Sequence, residues 1–256
     1  MTTLTLLVKS SRAWQLKAID EMLQTQFEEL DVEARVLTNS KTKWVQIELS
    51  GEDETIATNY INKIFGACPV SVENAKAMES LNGYISQLDS NKQELRVDIG
   101  VFEPKVAQAV LSVASLQTAL VNGKKLTLQQ IAELFGLAEG VPVSVKVNWE
   151  HSSEEELSAE LSEGQVVKLV SWQMSLLDRL IILGTSKETV TEVLERTHLG
   201  RDVIDVEALS AFDFALTCKL GTDAAGLVPR MGRYMRGTVF VVFNADKFMA
   251  LPSDKQ

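Results

Sequence analysis

Three arginines, Arg230, Arg233 and Arg236, recur at every third position, a spacing that sets them on one side of a helical turn. Lys219 and Lys247 fall on the strand-like runs to either side. Guanidinium and ammonium groups gathered in this way hold phosphates through charge-assisted hydrogen bonds and release of counterions. Phe212 and Phe214 stand two apart, so on a strand they share a face. An exposed aromatic pair there would stack nucleobases, each worth about 1–3 kcal/mol. The ordinary alternatives are a solvated basic surface for the arginines and a core position for at least one phenylalanine, because aromatic residues are only 6% of the chain.

No catalytic constellation accompanies these residues. Gly123-Lys124-Lys125 has neither the upstream glycine of a phosphate loop nor a Ser or Thr directly after its lysines. His151 and His198 are far apart, and no CxxC, HExxH or GxSxG occurs. Asp223, in GTDAAG, reads as a turn aspartate that caps backbone amides. Residues 126–137 open like a helix-turn-helix, but Val141 to Val147 alternate as a strand where the recognition helix belongs. The expectation is a protein that docks and does not turn over substrate, with no cofactor and no metal.

The formal charge of −10 argues against a protein that coats nucleic acid, so any RNA site must be local. Charge is unevenly spread. Glu150, Glu154, Glu155, Glu156, Glu160 and Glu163 stand together with no Lys or Arg among them, whereas residues 219–247 are basic. The acidic segment Glu150 to Glu163 reads as a solvated linker or as a contact for a basic protein partner, such as a ribosomal protein. Two cysteines, Cys68 and Cys218, read as reduced thiols, with a single disulfide between them as the alternative. No run approaches the roughly 20 apolar residues of a membrane span, and the N-terminus lacks a cleavage-site pattern. A cytoplasmic location is expected.

The elements that would position these groups follow from periodicity. Thr3 to Val8 reads as a strand, Ser11 to Leu30 as a helix with Leu16, Ile19, Leu23 and Phe27 on one side, and 32–36 and 45–49 as a hairpin around a turn at 39–42. A helix presenting Ile56, Tyr60 and Ile64 follows, then a short strand at 69–73. Strand, helix, strand, strand, helix, strand is the order of a ferredoxin-like fold. In residues 74–150, Leu95 to Val101 and Val141 to Trp149 read as strands. Thr127 and Gln130 have the spacing of a capping box for the helix to Leu137. Residues 104–121 read both ways: alanine-rich like a helix, yet with a strand required near Ala109 to Ser112. Beyond the acidic segment come a helix at 166–175, a buried strand at 180–183, and a helix to about Thr197 capped by Thr185 with Glu188. On it, Glu192 and Arg196 are spaced as an exposed pair.

VDIGV followed by AVLSVASL, and CKLGT followed by AAGLVPRMG, share one pattern that resembles the ribosomal S-one-type OB barrel. The barrel resemblance implies an opening strand at Gly83-Tyr84-Ile85 in the first copy. With GKKLTLQQIAELFGL in the middle and CKLGTDAAGLVPRMG near the end, the whole chain also resembles an uncharacterised archaeal family, a domain of unknown function. That resemblance implies an archaeal cytoplasmic protein and carries over no catalytic residues.

The expected architecture is α+β: a ferredoxin-like domain at 1–73, an OB-like barrel at 74–150, an acidic linker with a small αβ segment at 151–201, and a second OB-like unit at 202–256. The expected function is a noncatalytic RNA-binding or ribosome-associated factor, in which Lys219, Arg230, Arg233 and Arg236 hold phosphates and Phe212 or Phe214 stacks a base. A protein-interaction or assembly module is the alternative, and an enzyme acting on RNA or nucleotides comes third.

Overall fold

Alternating apolar residues build the N-terminal sheet. In a computed structural model describing residues 1–10, 12–38 and 42–249, β1 (Thr2–Lys9), β2 (Val32–Thr38) and β3 (Trp44–Gly51) pair antiparallel in the order β1-β3-β2. Leu6, Val8, Val45, Ile47 and Leu49 turn inward against Ile19 and Leu23 of α1 (Ala13–Gln26), the residues that periodicity placed on its buried side. Residues 39–41 of the expected hairpin turn lie outside the described residues. In α2 (Glu54–Phe65) the buried side is Ala57 and Ile61, while Ile56 and Ile64 are half exposed. The helix is therefore rotated by one residue from the expected stripe. Tyr60 packs edge-on against Phe27, ring centres 5.7 Å apart.

The expected short strand at 69–73 is present as two residues, and the segment just before it also meets the N-terminal sheet. Leu7 N donates to Gly66 O at 3.1 Å and Cys68 N to Thr5 O at 2.8 Å, so Gly66–Cys68 runs along the free edge of β1 through an antiparallel bridge between Leu6 and Ala67. Val70 and Ser71 form the two-residue β4, which pairs in parallel with β6 (Glu94–Glu103), and Val72–Lys76 is a short helix, α3.

The middle of the chain closes on itself. Strands β5 (Leu81–Asp89), β6, β7 (Ala107–Ser112), β8 (Pro142–Val147) and β9 (Glu156–Leu161) run in the order β6-β5-β8-β9-β7, and β7 returns to pair with β6. The result is a closed five-strand barrel, antiparallel apart from the parallel pair β7 and β9. Period-two alternation fills it with Ile85, Leu95, Val97, Ala109, Leu111, Val143, Val145, Leu157 and Ala159.

Both readings of 104–121 hold in part. The segment is strand β7 up to Ser112, whose hydroxyl accepts from Ser115 N and starts helix α4 (Val113–Val121). Thr127 and Gln130 form the expected capping box on α5 (Leu128–Phe135). The acidic segment is no linker. Its residues 156–161 supply β9, the strand that closes the barrel, because Leu157, Ala159 and Leu161 alternate with Glu156, Ser158 and Glu160. Helix α6 (Glu163–Met174) follows.

The last unit is an open sheet and not a second barrel. Strands β10 (Arg179–Leu183), β11 (Val203–Ala208), β12 (Asp213–Cys218) and β13 (Val239–Phe243) pair antiparallel in the order β11-β12-β10-β13. Residues 224–232, which a barrel would use otherwise, form helix α8 (Ala224–Gly232), with Asp223 accepting from Ala225 N at its start. The reason is visible in the burial: Ala224, Leu227 and Met231 are inward at helical spacing. Helix α7 (Lys187–Arg196) is capped by Ser186, not Thr185, and joins α8 over one face of the sheet. Together they cover Leu180, Ile182, Phe214 and Leu216. The other face meets the barrel's helices: Trp172 of α6 lies edge-on to Phe243, ring centres 5.6 Å apart. Gly136, at φ 62° after α5, leaves 3.2 Å between its missing Cβ and Ile181 Cδ1. Phe248, on the short helix α9 (Asp246–Met249), stacks against Phe135 and Phe243. Both cysteines are buried and neither is in a disulfide. Burial pushes the Cys218 thiol up to about 11. No helix among the described residues is long and apolar enough to cross a membrane.

Asp213 begins β12 almost fully buried. Its carboxylate accepts from Gly184 N at 2.9 Å and from the Ser210 hydroxyl. Burial raises its pKa above the ordinary carboxylate value, and these two donors offset the rise only in part. A raised folded pKa means that the stability it contributes is present below the unfolded value and fades as pH rises through the folded one. Asp213→Asn keeps an acceptor for Gly184 and removes the titration. The stability of wild type relative to this variant is therefore expected to fall as pH rises above 3.8. Urea unfolding across the acidic range checks it; an advantage that grows with pH would refute the sign.

Candidate nucleic-acid interface

The site residues expected from the sequence separate into two groups. Phe212 is 8% exposed and Phe214 3% exposed, so neither can stack a base. The reason is the position of β12 between β11 and β10, with its Phe214 face roofed by helices. The stacking role is corrected.

The cations come together, though not as one helical stripe. Arg230 lies in the last turn of α8, Arg233 is the residue just after it, and Arg236 sits in the loop leading to β13. Arg230 Nη2 donates to Thr197 O at 2.9 Å, at the end of α7, where a guanidinium complements the helix dipole. Its Nη1 is 3.9 Å from Asp202 Oδ2, and Arg201 Nε is 3.9 Å from the other oxygen of the same carboxylate. Lys219 N donates to Asp202 O at 2.9 Å, which sets the exposed Lys219 beside this pair. Asp202 thus gathers two guanidinium groups with its carboxylate and fixes the Lys219 backbone with its carbonyl. Lys247 lies elsewhere, 4.0 Å from Glu133.

Two groups that periodicity missed complete the cluster. Tyr234 is 44% exposed, and the Arg196 guanidinium lies over its ring, 4.4 Å from the centre. Arg196 therefore stacks on an aromatic ring instead of pairing with Glu192. The signal for Tyr234 was its place between Arg233 and Arg236 in MGRYMRG. The face accordingly presents an exposed aromatic ring, a guanidinium already stacked on it, and Arg201, Arg230, Arg233 and Lys219 around the ends of α7 and α8. Such a surface can bind phosphate oxygens and a planar base. Among the described residues no three His, Cys, Asp or Glu are grouped to hold a metal ion.

Three family profiles cover nearly the whole chain: the DUF2110 N-terminal domain at 2–71, the DUF2110 central domain at 75–173 and the DUF2110 C-terminal domain at 177–243. The chain belongs to the DUF2110 family. The C-terminal match begins just before β10, and the central match ends within α6. No curated protein matches the chain.

Proposed function

We propose that this protein is a noncatalytic RNA-docking factor that holds single-stranded RNA on the face built by Arg196, Arg201, Arg230, Arg233 and Tyr234. In this reading the barrel is of the OB type, since its ring order, taken from β5, is first, second, third, fifth, fourth, with a helical excursion between the third and fourth strands. The sheets that precede and follow it in the sequence are both read as ferredoxin-like: the N-terminal sheet with its Gly66–Cys68 edge repeats the strand order of the C-terminal sheet. The observation that carries the function is the exposed Arg196–Tyr234 stack with arginines around it, on a protein whose net charge is −10. Base stacking supplies affinity without sequence choice, and the cations position the backbone.

Fluorescence anisotropy with a labelled oligouridylate tests it. Tyr234→Ala is expected to weaken binding about tenfold, within the roughly 1–3 kcal/mol of one stacked base. Arg201→Glu with Arg233→Glu is expected to weaken binding and to flatten the salt dependence by about one unit of slope per lost contact. Wild-type affinity in both variants, or no binding by wild type at about 50 mM salt, would overturn the reading.

A further inference from the structure

The barrel carries an open groove of about 890 Å³ on its outer surface, lined by none of the arginine cluster's residues. Its floor is made by the outward residues of β7 and β9, including Val110, Ser112 and Ser158, and one wall is the single 3-10 turn at Trp149–His151 that links β8 to β9. Short side chains keep the floor low, and the half-buried Trp149 gives the wall an aromatic surface. The groove opens along one side and its lining is about as polar as apolar, unlike the enclosed, mostly apolar sites that take small molecules.

Four carboxylates line it, Glu94, Glu150, Glu156 and Glu160, against one lysine, Lys146. Arg96 Nη2 holds Glu156 at 2.6 Å and lies 3.4 Å from Glu94, and this guanidinium lowers the Glu156 pKa. Glu150 and Glu160 have no ion-pair partner among the described residues. The charge excludes a phosphate backbone and matches a cationic occupant. Spacing narrows it further. Glu156, Ser158 and Glu160 project from one strand at every second residue, about 6.6 Å apart, which is also the repeat of alternate side chains on an extended chain.

We infer that this groove docks an extended, basic segment of a partner polypeptide, with alternate side chains directed at the Glu156–Ser158–Glu160 stripe of β9, a Lys or Arg paired to Glu160, a further cation paired to Glu150 beside the strand, and an aliphatic stem lying against Trp149. The inference goes beyond the RNA reading and stands on different residues, so either can fail alone. Together the two surfaces would suit a partner that is itself a basic RNA-binding protein.

The probe is a labelled dodecapeptide of alternating lysine and threonine, compared with a block peptide of the same composition, and with no RNA present. Wild type is expected to prefer the alternating peptide, and Glu150→Lys with Glu160→Lys to weaken it about tenfold. Glu28→Lys with Glu29→Lys changes net charge equally at exposed positions of the N-terminal unit and is expected to leave affinity within about twofold. Equal loss in both double variants, or none in either, overturns the groove as the site. Equal binding of the two peptides overturns the extended register, and displacement by spermine at matched charge overturns the polypeptide assignment.

Discussion

Replacing Arg179 by alanine is expected to destabilise the protein by about 2–3 kcal/mol, from the two N–H groups of one nitrogen shared among three acceptors, at about 1 kcal/mol per hydrogen bond, and from the acceptors left without a donor. Arg179 opens β10 and is 7% exposed. Its Nη1 donates to Trp172 O at 3.2 Å, Leu177 O at 3.0 Å and the Ser175 hydroxyl at 3.0 Å, so one guanidinium closes the end of α6 and the turn after it. The same group stacks on Trp172 at 5.0 Å and faces Phe243 at 5.8 Å, joining the barrel's last helix to the C-terminal sheet. No ion pair within 4.0 Å relieves its burial among the described residues, its Nε has no partner, and burial depresses its pKa. That cost is why Arg179→Met, which keeps the apolar stem against the rings, is expected to lose only about half as much. Urea unfolding of both variants checks this. A loss under about 1 kcal/mol for alanine would mean that desolvation of the cation cancels what its hydrogen bonds contribute.

How far the sequence revealed this molecule depended on which face of each element was covered. Strands with one wet face were legible: β3 and β8 alternate cleanly, and their bounds were close. So were caps that rest on local chemistry, such as the Thr127–Gln130 box. The C-terminal sheet was misread because its strands are contributed from both sides of residue 202, and a glycine-bounded alternating run looks alike in a barrel and in an open sheet. Within it, AAGLVPRM carries Ala224, Leu227 and Met231 at helical spacing, and α8 accommodates Pro229. The acidic segment was misassigned because its carboxylates were weighed together and the alternation of Leu157, Ala159 and Leu161 between them was not.

At the candidate site, residue type was legible and exposure was not. Arg230 and Lys219 do meet, but through Asp202, a residue distant from both in sequence. Phe214 lies on a central strand under two helices, which offers no wet side, and Phe212, just before that strand, is buried as well. Tyr234 lies past the end of α8, where no periodicity assigns a face. Long-range packing decided each of these points, and a single sequence carries that information only weakly.

The barrel should be sensitive to a single added methyl group at Gly83. Gly83 lies on β5 opposite Val143 of β8, with β6 on its other side. A Cβ added there would stand 2.3 Å from Asp98 O and 2.9 Å from Val97 Cγ1. The first of these is backbone, so no rotamer change relieves it. Because β5 is hydrogen-bonded on both edges, moving it away from β6 means opening the ladder to β8 as well. Gly83→Ala is therefore expected to cost about 3 kcal/mol, the upper range for overpacking a closed core. Gly164→Ala is the matched control. It lies in the first turn of α6, meets nothing within 4 Å and has no left-handed backbone to strain, so alanine there is expected to gain about 0.5–1 kcal/mol from helix propensity. Urea unfolding of the two variants side by side separates the effects. If Gly83→Ala unfolds with wild type, the strands at that crossing can separate by more than the closed ring allows, and the barrel is looser than its pairing implies.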